Sequence, residues 1–600
     1  MMEIKHRDGV ARYGFLKIDE IKIEIPNIIF VPTSKLKIPK SAVMVERLKP
    51  EEGEKFLQIQ PLGDTITNVW MSGSANFHIP IADPIPASFE EAPPVCYGKW
   101  CVVYGKEEGE IEVPNKKGCI FTLANAPVLF PKSKIFLRNI LRLREKIGYS
   151  SLIHLPAVAS PSNLALLVYM GVDLVDTIYI TIAARNGYML FPEGSYHFEE
   201  VEENLCSCPA CVKKEGMERV VWHNYYSLLQ EMERIRLAIR RGRLRELVEQ
   251  RILAEPHLTE KYRIMHLEHY RFVERRFPVT RQRILIASSR DSIDYPEVRR
   301  FRERVIERYE KPKFARIALF LPCSSKKPYS VSKSHTILKK VISSTGCSGV
   351  IHEIVVTSPL GLVPRELEIV YPAIKYDIPV TGKWYGEEKE MIRDVLKEYL
   401  HKNKYDIFIT HLPGEINEVL REVCSELIET CVGHPLSKES LNNLRDELEK
   451  VAENYERVEI VNKYLEVMKK VASFQFGFAV AEDLVREGCR VEGDYPSLKL
   501  MDGANLLASL SKERGLLSLT LEGGKVLEKA GVYTVDVEGV KSKGSVFASD
   551  VVRADDNIRV GDDVAVLSEG KLYAVGIARM NGEEMEELER GEAVRIRHHV

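Results

Sequence analysis

Apolar positions along this chain fall in short blocks, not long runs. From Gly9 to Ser34 the sequence GVARYGFLKIDEIKIEIPNIIFVPTS breaks into strand-sized pieces with turns between them. Phe136–Ile147, rich in Leu and Arg, has helical spacing. It is followed by SLIHLPAV, LALLVYMGVDLVD and TIYIT, a βα-like alternation. A long helix is predicted from Asn224 to Leu253. From residue 286 strands and helices alternate: ILIASS, a charged helix, ARIALFLPC, a helix from Ser334, IHEIVVTS, a helix from Met391, then DIFITHLPG. This is the pattern of a parallel sheet with helical crossovers. A charged helical stretch follows from 436, then a small α+β unit to 522, then a strand-rich, turn-punctuated segment. The expected domains are therefore 1–285, 286–435, 436–522 and 523–600, a multidomain α/β and α+β chain.

Length supports this division, because 600 residues exceed what a single core accommodates. Hydrophobic content of 45% and charged content of 29% are those of a soluble globular protein. A net charge of −2 carries no global nucleic-acid signal, so any such binding must come from local basic patches. No apolar run approaches a membrane span, the first residues lack a signal-peptide core, and a cytoplasmic location is expected. Eleven cysteines argue against a disulfide framework and for metal ligation or catalysis where they cluster.

Two clusters carry chemistry. Cys206, Cys208 and Cys211 form C-x-C-x2-C, and His223 follows at the start of a predicted helix. Three thiolates and one imidazole satisfy tetrahedral Zn²⁺ with no position open for water, which points to a structural zinc. The second cluster, Pro322-Cys-Ser-Ser-Lys-Lys-Pro-Tyr-Ser-Val-Ser-Lys-Ser-His335, follows the apolar run Ala315–Leu321. Open α/β sheets bind ligands beyond the carboxyl ends of their strands, and this end offers a thiol, hydroxyls, lysines and a histidine. Cys323 is the nucleophile candidate. Lys326, Lys327 and the N-terminus of the following helix are expected to lower its pKa, and His335 or Tyr329 to supply a proton. Ser332 and Ser334 are candidates for the site or for helix capping. Ser324, Ser325 and Lys326 are expected to bind substrate. Ser358 and Arg365, after the next apolar run, are expected beside them, with Arg365 holding a carboxylate or phosphate. His411 ends the DIFITHLPG strand on the same side.

The segment CSCPAC followed by HNYYSLLQEMERIRLAIRRGRL resembles the zinc subdomain of tRNA-guanine transglycosylases. Ala11-Arg12-x-Gly14, Ile25-Pro26 and Val31-Pro32 resemble that family's first strands. Gly171-Val-Asp-Leu-Val-Asp176 resembles the motif whose second aspartate is the nucleophile. The resemblance implies a (β/α)8 barrel over 1–285, with Asp176 as its vestigial nucleophile. The family's second catalytic carboxylate has no clear counterpart. The nearest stretch is Met71-Ser-Gly-Ser-Ala-Asn-Phe, and His154-Leu-Pro-Ala-Val-Ala stands where a glycine-rich base cradle would be. The barrel is therefore expected to be a degenerate scaffold. The C-terminal segment, with Gly544-Ser-Val-Phe-Ala548, Ile558-Arg-x-Gly-Asp-Asp-Val564 and Ala574-Val-Gly576, resembles a PUA domain, a small β-barrel that binds structured RNA. Lys541, Lys543, Arg553, Arg595 and Arg597 would supply its phosphate contacts. Ala472-Ser-Phe-Gln-Phe-Gly477 resembles the small domain that precedes PUA in archaeal transglycosylases.

P-C-S-x-x-K-P-Y-x-x-S-x-S-H matches at every fixed position the motif of the archaeosine synthase family, and the order of domains is similar to that family's. The resemblance implies a transferase acting on tRNA that carries 7-cyano-7-deazaguanine at position 15 in the D-loop. It would add an amine, L-lysine through its ε-amine, across the nitrile to give an amidine-type adduct, with a radical-SAM partner acting next. Glutamine or ammonia as donor stays open at this point. A homodimer is expected from the transglycosylase relationship. Two other readings remain: base exchange in the barrel, and tRNA binding without catalysis.

Overall fold

The computed structural model describes residues 2–18, 21–33, 35–40, 42–46, 57–62, 77–80, 93–201, 205–346, 348–380, 382–424, 426–455, 460–539 and 544–600. The chain forms two compact units. One is Met1–Phe277 with Glu587–Gly591, and the other is Pro278–Glu586 with Glu592–Val600.

In the first unit a three-stranded antiparallel sheet, Met2–Asp8, Ala11–Ile18 and Ile21–Ile25, precedes a set of parallel strands. These are β1 (Asn27–Ile29), β2 (Met44–Glu46), β3 (Leu57–Leu62), β4 (Phe77–Pro80), β5 (Trp100–Val103), β6 (Ile120–Leu123), β7 (Leu152–Leu155) and β8 (Leu174–Asp176). The pairs β5–β6–β7–β8–β1 are parallel throughout, as are β2–β3–β4, and a parallel bridge between Phe30 and Val45 joins the two sets. No ladder between β4 and β5 is present among the described residues. Strands β5, β6, β7 and β8 are wholly buried, as strands covered on both faces must be. Arg12 and Arg144 meet on the buried carboxylate of Asp173, with Arg12 Nε donating at 2.8 Å. The Ala-Arg-x-Gly and Gly-x-Asp stretches thus meet in one ion cluster. The bond Cys96–Cys101 staples the antiparallel hairpin Val95–Tyr97/Trp100–Val103, a disulfide the cysteine count did not anticipate.

The helix expected over 224–253 is instead Gly216–Arg241, then Leu244–Arg251. Gly242, at φ 62° in the left-handed region, caps the first piece. Apolar spacing continues across this break, which is why the sequence reads as one helix.

The second unit contains a five-stranded sheet. Its strands are β9 (Ile317–Pro322), β10 (Ile351–Thr357), β11 (Gly361–Pro364), β12 (Ile407–Thr410) and β13 (Leu427–Glu429), in the order β11-β10-β9-β12-β13. All neighbours are parallel except the β10–β11 hairpin. Helix α1 (Lys333–Ser344) links β9 to β10, and α2 (Gly386–Lys402) leads back past β9 to β12. The chain leaves β9 for β10 on one side and later returns to β12 on the other, so the carboxyl end of β9 is a topological switch point. Ile317, Leu319 and Leu321 face Leu338, Val341 and Ile342 of α1 and Leu444, Leu448 and Val451 of the helix Lys438–Ala452. A four-stranded antiparallel sheet (Cys489–Leu519) and a six-stranded mixed sheet with strands between Thr534 and His599 complete the unit.

Candidate active site and metal centre

Strand β9 ends at Pro322, and Cys323 follows as a half-buried thiol at the switch point. Beyond it the chain loops through exposed Ser325 and Lys326. Ser324 is tied down within the loop, its Oγ donating to the Lys326 carbonyl at 2.9 Å. Lys327 turns back, and its Nζ lies 3.8 Å from the centre of the Tyr376 ring. Burial lowers the Lys327 pKa, against the opposing pull of Cys323 and Asp377.

Tyr329 is fully buried. Its hydroxyl is 2.7 Å from that of Tyr376, which is 2.6 Å from Thr357 Oγ1, and Thr357 donates to the Ser358 carbonyl. Since the threonine proton is used there, the chain runs one way: Tyr329 donates to Tyr376, and Tyr376 to Thr357. Burial holds both phenols above their ordinary pKa, with Tyr376 and Cys323 adding to the rise at Tyr329 and Cys323 to that at Tyr376. Both therefore stay protonated at neutral pH.

Ser332 caps α1, its Oγ accepting from the His335 N–H at 3.2 Å, with Ser334 Oγ 3.1 Å away. His335 is not placed to deliver a proton. Arg365 Nη2 donates to its Nδ1 at 2.9 Å, so Nε2 carries the hydrogen and gives it to the Pro322 carbonyl at 2.9 Å. Burial, aided by Arg365, pushes its pKa down to about 4. The ring clamps the end of β9. Arg365 is likewise committed inward: it binds Glu353, and its Nη1 reaches Glu368 Oε2 at 2.9 Å. Burial opposes its charge, but Glu353 and Glu368 hold the guanidinium above its ordinary value. The expected anion hook is a strut instead. Glu368 also accepts from the Ser330 N–H at 2.9 Å and from the Tyr495 hydroxyl at 3.0 Å, fixing the loop from below. Ser358 lines a separate cavity of about 270 Å³ with Ser289, Arg290 and Tyr385. His411 is a buried structural group, bonded to Thr430 Oγ1 at 2.8 Å and to the Pro435 carbonyl at 2.7 Å.

Glu353 and Glu368 are the members the sequence does not single out. Thr357 and Tyr376 lie in and just beyond the stretch that ends at Arg365, and the fold brings the Tyr376 ring to Lys327 and its hydroxyl to Tyr329.

In the first unit the ligand atoms of Cys206, Cys208, Cys211 and His223 all lie within 4.8 Å of one another. The Cys208 and Cys211 sulfurs are 3.7 and 3.5 Å from His223 Nδ1. Bonds of about 2.3 Å to sulfur and about 2.0 Å to nitrogen at tetrahedral angles give roughly this separation. His223 Nε2 faces the Leu190 carbonyl at 3.2 Å, which fixes the tautomer and leaves Nδ1 for a metal. The four residues can hold a metal ion.

Asp176 is buried at 1% exposure. Its carboxylate accepts from the Ala157 and Ile178 N–H groups at 3.0 Å each, and His154 Nε2 is 3.8 Å away. Residues 71–76, the stretch nearest the family's second carboxylate, lie outside the described residues, as do Lys541 and Lys543. Of the remaining basic candidates, Arg553 is exposed and Arg595 is exposed but paired to Glu592 at 2.9 Å. Arg597 is engaged within the protein. It binds Asp563 at 2.7 and 3.0 Å and the Leu519 carbonyl at 3.0 Å.

These parts define a protein of the transglycosylase-related class: a parallel-stranded unit with a cysteine–histidine cluster that can hold a metal ion, a separate α/β domain with a polar strand end, and a terminal RNA-binding fold. Family models agree. Residues 127–257 match "Queuine tRNA-ribosyltransferase", 298–448 a domain of unknown function (DUF5591), 466–533 "Patch-forming domain C2 of tRNA-guanine transglycosylase", and 534–600 the PUA domain. Archaeosine synthase of Haloferax volcanii is 34% identical over 99% of this chain and 98% of its own length. Archaeosine synthase subunit alpha of Methanosarcina acetivorans is 34% identical over 82% of this chain and 81% of its own. The tRNA-guanine(15) transglycosylase of Methanothermobacter thermautotrophicus is 30% identical over 74% of this chain and 65% of its own. Among solved structures, that of AF0587, a protein of unknown function, covers 50% of this chain and 98% of its own at 29% identity and a TM-score of 0.41. The chain belongs to the archaeosine synthase family. It is a tRNA-modifying transferase of archaeosine biosynthesis.

Proposed function

We propose that the protein adds a primary amine, the ε-amine of L-lysine, to the nitrile of 7-cyano-7-deazaguanine at position 15 of tRNA, with Cys323 as nucleophile. The observation that carries this reading is the half-buried Cys323 thiol at the switch point, next to Lys327 and the Tyr329–Tyr376 pair. Reacting as the thiolate, the Cys323 sulfur bonds to the nitrile carbon, one C–N π bond breaks, and the nitrogen takes a proton. Lys327 Nζ supplies it, since burial makes this ammonium a stronger acid than a solvated one. The incoming amine then attacks the thioimidate carbon. The C–N bond forms, the C–S bond breaks, the sulfur leaves as thiolate, and a proton lost by the amine restores Lys327. Ser324, Ser325 and Lys326 flank the entering base. Ser332, Ser334, His335 and Arg365 hold the loop, and Arg553 and Arg595 contact phosphate. Cys206, Cys208, Cys211 and His223 hold a structural Zn²⁺.

Base exchange in the barrel is the weaker reading, because Asp176 is enclosed and already accepts two backbone N–H groups. The test is incubation with nitrile-bearing tRNA and L-lysine, glutamine or ammonia, followed by mass spectrometry of the nucleosides. A gain equal to intact lysine is expected, and no gain with any amine overturns the reading.

A further inference from the structure

A cleft of about 650 Å³ opens beside the strand-end cluster, lined by Lys327, Lys375, Tyr376 and Asp377 of the α/β domain. Gln282, Ile284, Ser325 and Ile374 line it as well, and the small antiparallel domain adds Lys512 and Glu513. The loop that carries them is built to stay in place. Gly515 adopts φ +70°, and a Cβ there would stand 2.0 Å from the Ile369 carbonyl oxygen, so the backbone lies flush against the α/β domain. Arg514 pins the same loop, bonding Ser518 Oγ at 2.9 Å and the Gly561 carbonyl at 3.0 Å and pairing with Asp563. Lys512 and Glu513 themselves are exposed and make none of these contacts. A rigid loop thus projects one cation and one anion toward the cleft that reaches Lys327.

We propose that this cleft binds the free amino-acid donor, and that the small domain supplies half of its recognition. This rests on the amine-addition reading above. The volume falls in the range of small-molecule sites, about 300–1,000 Å³. The charges are mixed: Lys375 and Lys512 with Asp377 and Glu513. A groove for RNA phosphates would be uniformly basic, whereas both signs suit a molecule with a carboxylate and an ammonium. Lys375 and Lys512 take the α-carboxylate and Glu513 the α-ammonium. The side chain runs inward past Asp377, so its terminal amine arrives beside Lys327 and Cys323. A donor without the α-carboxylate, such as ammonia or a simple alkylamine, forfeits these contacts.

The test pairs calorimetry of L-lysine binding to the full-length protein without tRNA with steady-state kinetics on nitrile-bearing tRNA. The variants are Lys512→Ala and Glu513→Ala, both exposed and outside the fold's contacts. Charge-assisted contacts of this kind are each worth about tenfold or more, so the lysine Kd and KM should rise by at least that factor. The kcat and the tRNA affinity should stay within about twofold, and cadaverine should bind wild type as weakly as lysine binds the variants. Undetectable lysine binding by wild type, or unchanged lysine Kd in both variants, overturns the proposal. So does a loss of tRNA affinity with lysine binding intact, which would make the cleft a nucleic-acid contact. If wild type adds no amine to nitrile-bearing tRNA yet binds lysine in a Lys512-dependent way, the catalytic reading fails and the cleft assignment stands.

Discussion

Lys327 holds its ammonium 3.8 Å above the ring of Tyr376, and the hydroxyl of that ring reaches Tyr329 and Thr357. One side chain thus positions the lysine with its face and braces the loop with its edge. The two roles separate by substitution. Tyr376→Phe keeps the face and removes the hydroxyl, leaving the Tyr329 hydroxyl and Thr357 Oγ1 without this partner in a buried setting, at a cost of about 1–3 kcal/mol in stability. Tyr376→Leu also removes the cation–π contact, worth about 0.5–2 kcal/mol. The melting temperature should fall in both variants. The kcat should fall clearly further in Tyr376→Leu, and equal kcat would mean the ring face does not position Lys327.

If Cys323 forms the thioimidate, Cys323→Ala should lose at least about 100-fold in kcat. Wild type mixed with nitrile-bearing tRNA and no amine should accumulate a covalent protein–RNA species, visible as a band shift under denaturing conditions. Near-normal turnover by Cys323→Ala, or no shift in wild type, leaves direct attack by the amine as the mechanism.

His335 offers a pH test. Its folded pKa, about 4, lies below the ordinary value of 6.5. A depressed pKa means that the unfolded chain takes up the proton first as pH falls. The stabilisation is complete above pH 6.5 and drains away between 6.5 and about 4, by at most about 3 kcal/mol. NMR titration should find this imidazole still neutral at pH 5.5. A midpoint near 6.5 would mean that Arg365 and Pro322 do not hold the ring as described.

Much of this was legible in the sequence for identifiable reasons. Runs such as Ala315–Leu321 and IHEIVV predict strands because a parallel sheet covered on both faces needs continuous apolar side chains. The thiol, lysines and hydroxyls after Leu321 stand out because they follow a buried strand. The inward commitment of His335 and Arg365 was not legible. Both depend on Glu353 and Glu368, which arrive from β10 and the turn after β11 and carry no local signal linking them to the motif. The break at Gly242 is not legible, because apolar spacing persists across it. The metal cluster was legible because its ligands are close in sequence.

That cluster predicts a second stability effect. Three thiolates and an imidazole in this geometry make a closed site whose metal contributes to folding. The purified protein should carry about one zinc per chain, and Cys208→Ser should abolish it and lower the melting temperature of the unit that contains it. Tyr376 and Cys323 lie in the other unit. A zinc-depleted protein that loses amine addition while keeping tRNA affinity would contradict a purely structural metal.

Arg597 and Arg553 separate structure from recognition in the terminal domain. Arg597 is bound to Asp563, which is 1% exposed and also paired to Arg514, and it reaches the Leu519 carbonyl at the preceding domain. Burial raises the pKa of Asp563, but Arg514 and Arg597 outweigh it and hold the carboxyl below the usual range. Removing one guanidinium weakens a buried carboxylate's compensation, so Arg597→Ala should cost about 2–3 kcal/mol in stability. The tRNA Kd of the folded fraction should be nearly unchanged. Arg553→Ala should do the reverse: stability within about 0.5 kcal/mol of wild type, weaker tRNA binding, and a salt slope smaller by about one ion. Filter binding across a salt series, beside thermal melts, checks both. If Arg597→Ala changes the salt slope while its melting temperature holds, the residue faces phosphate after all.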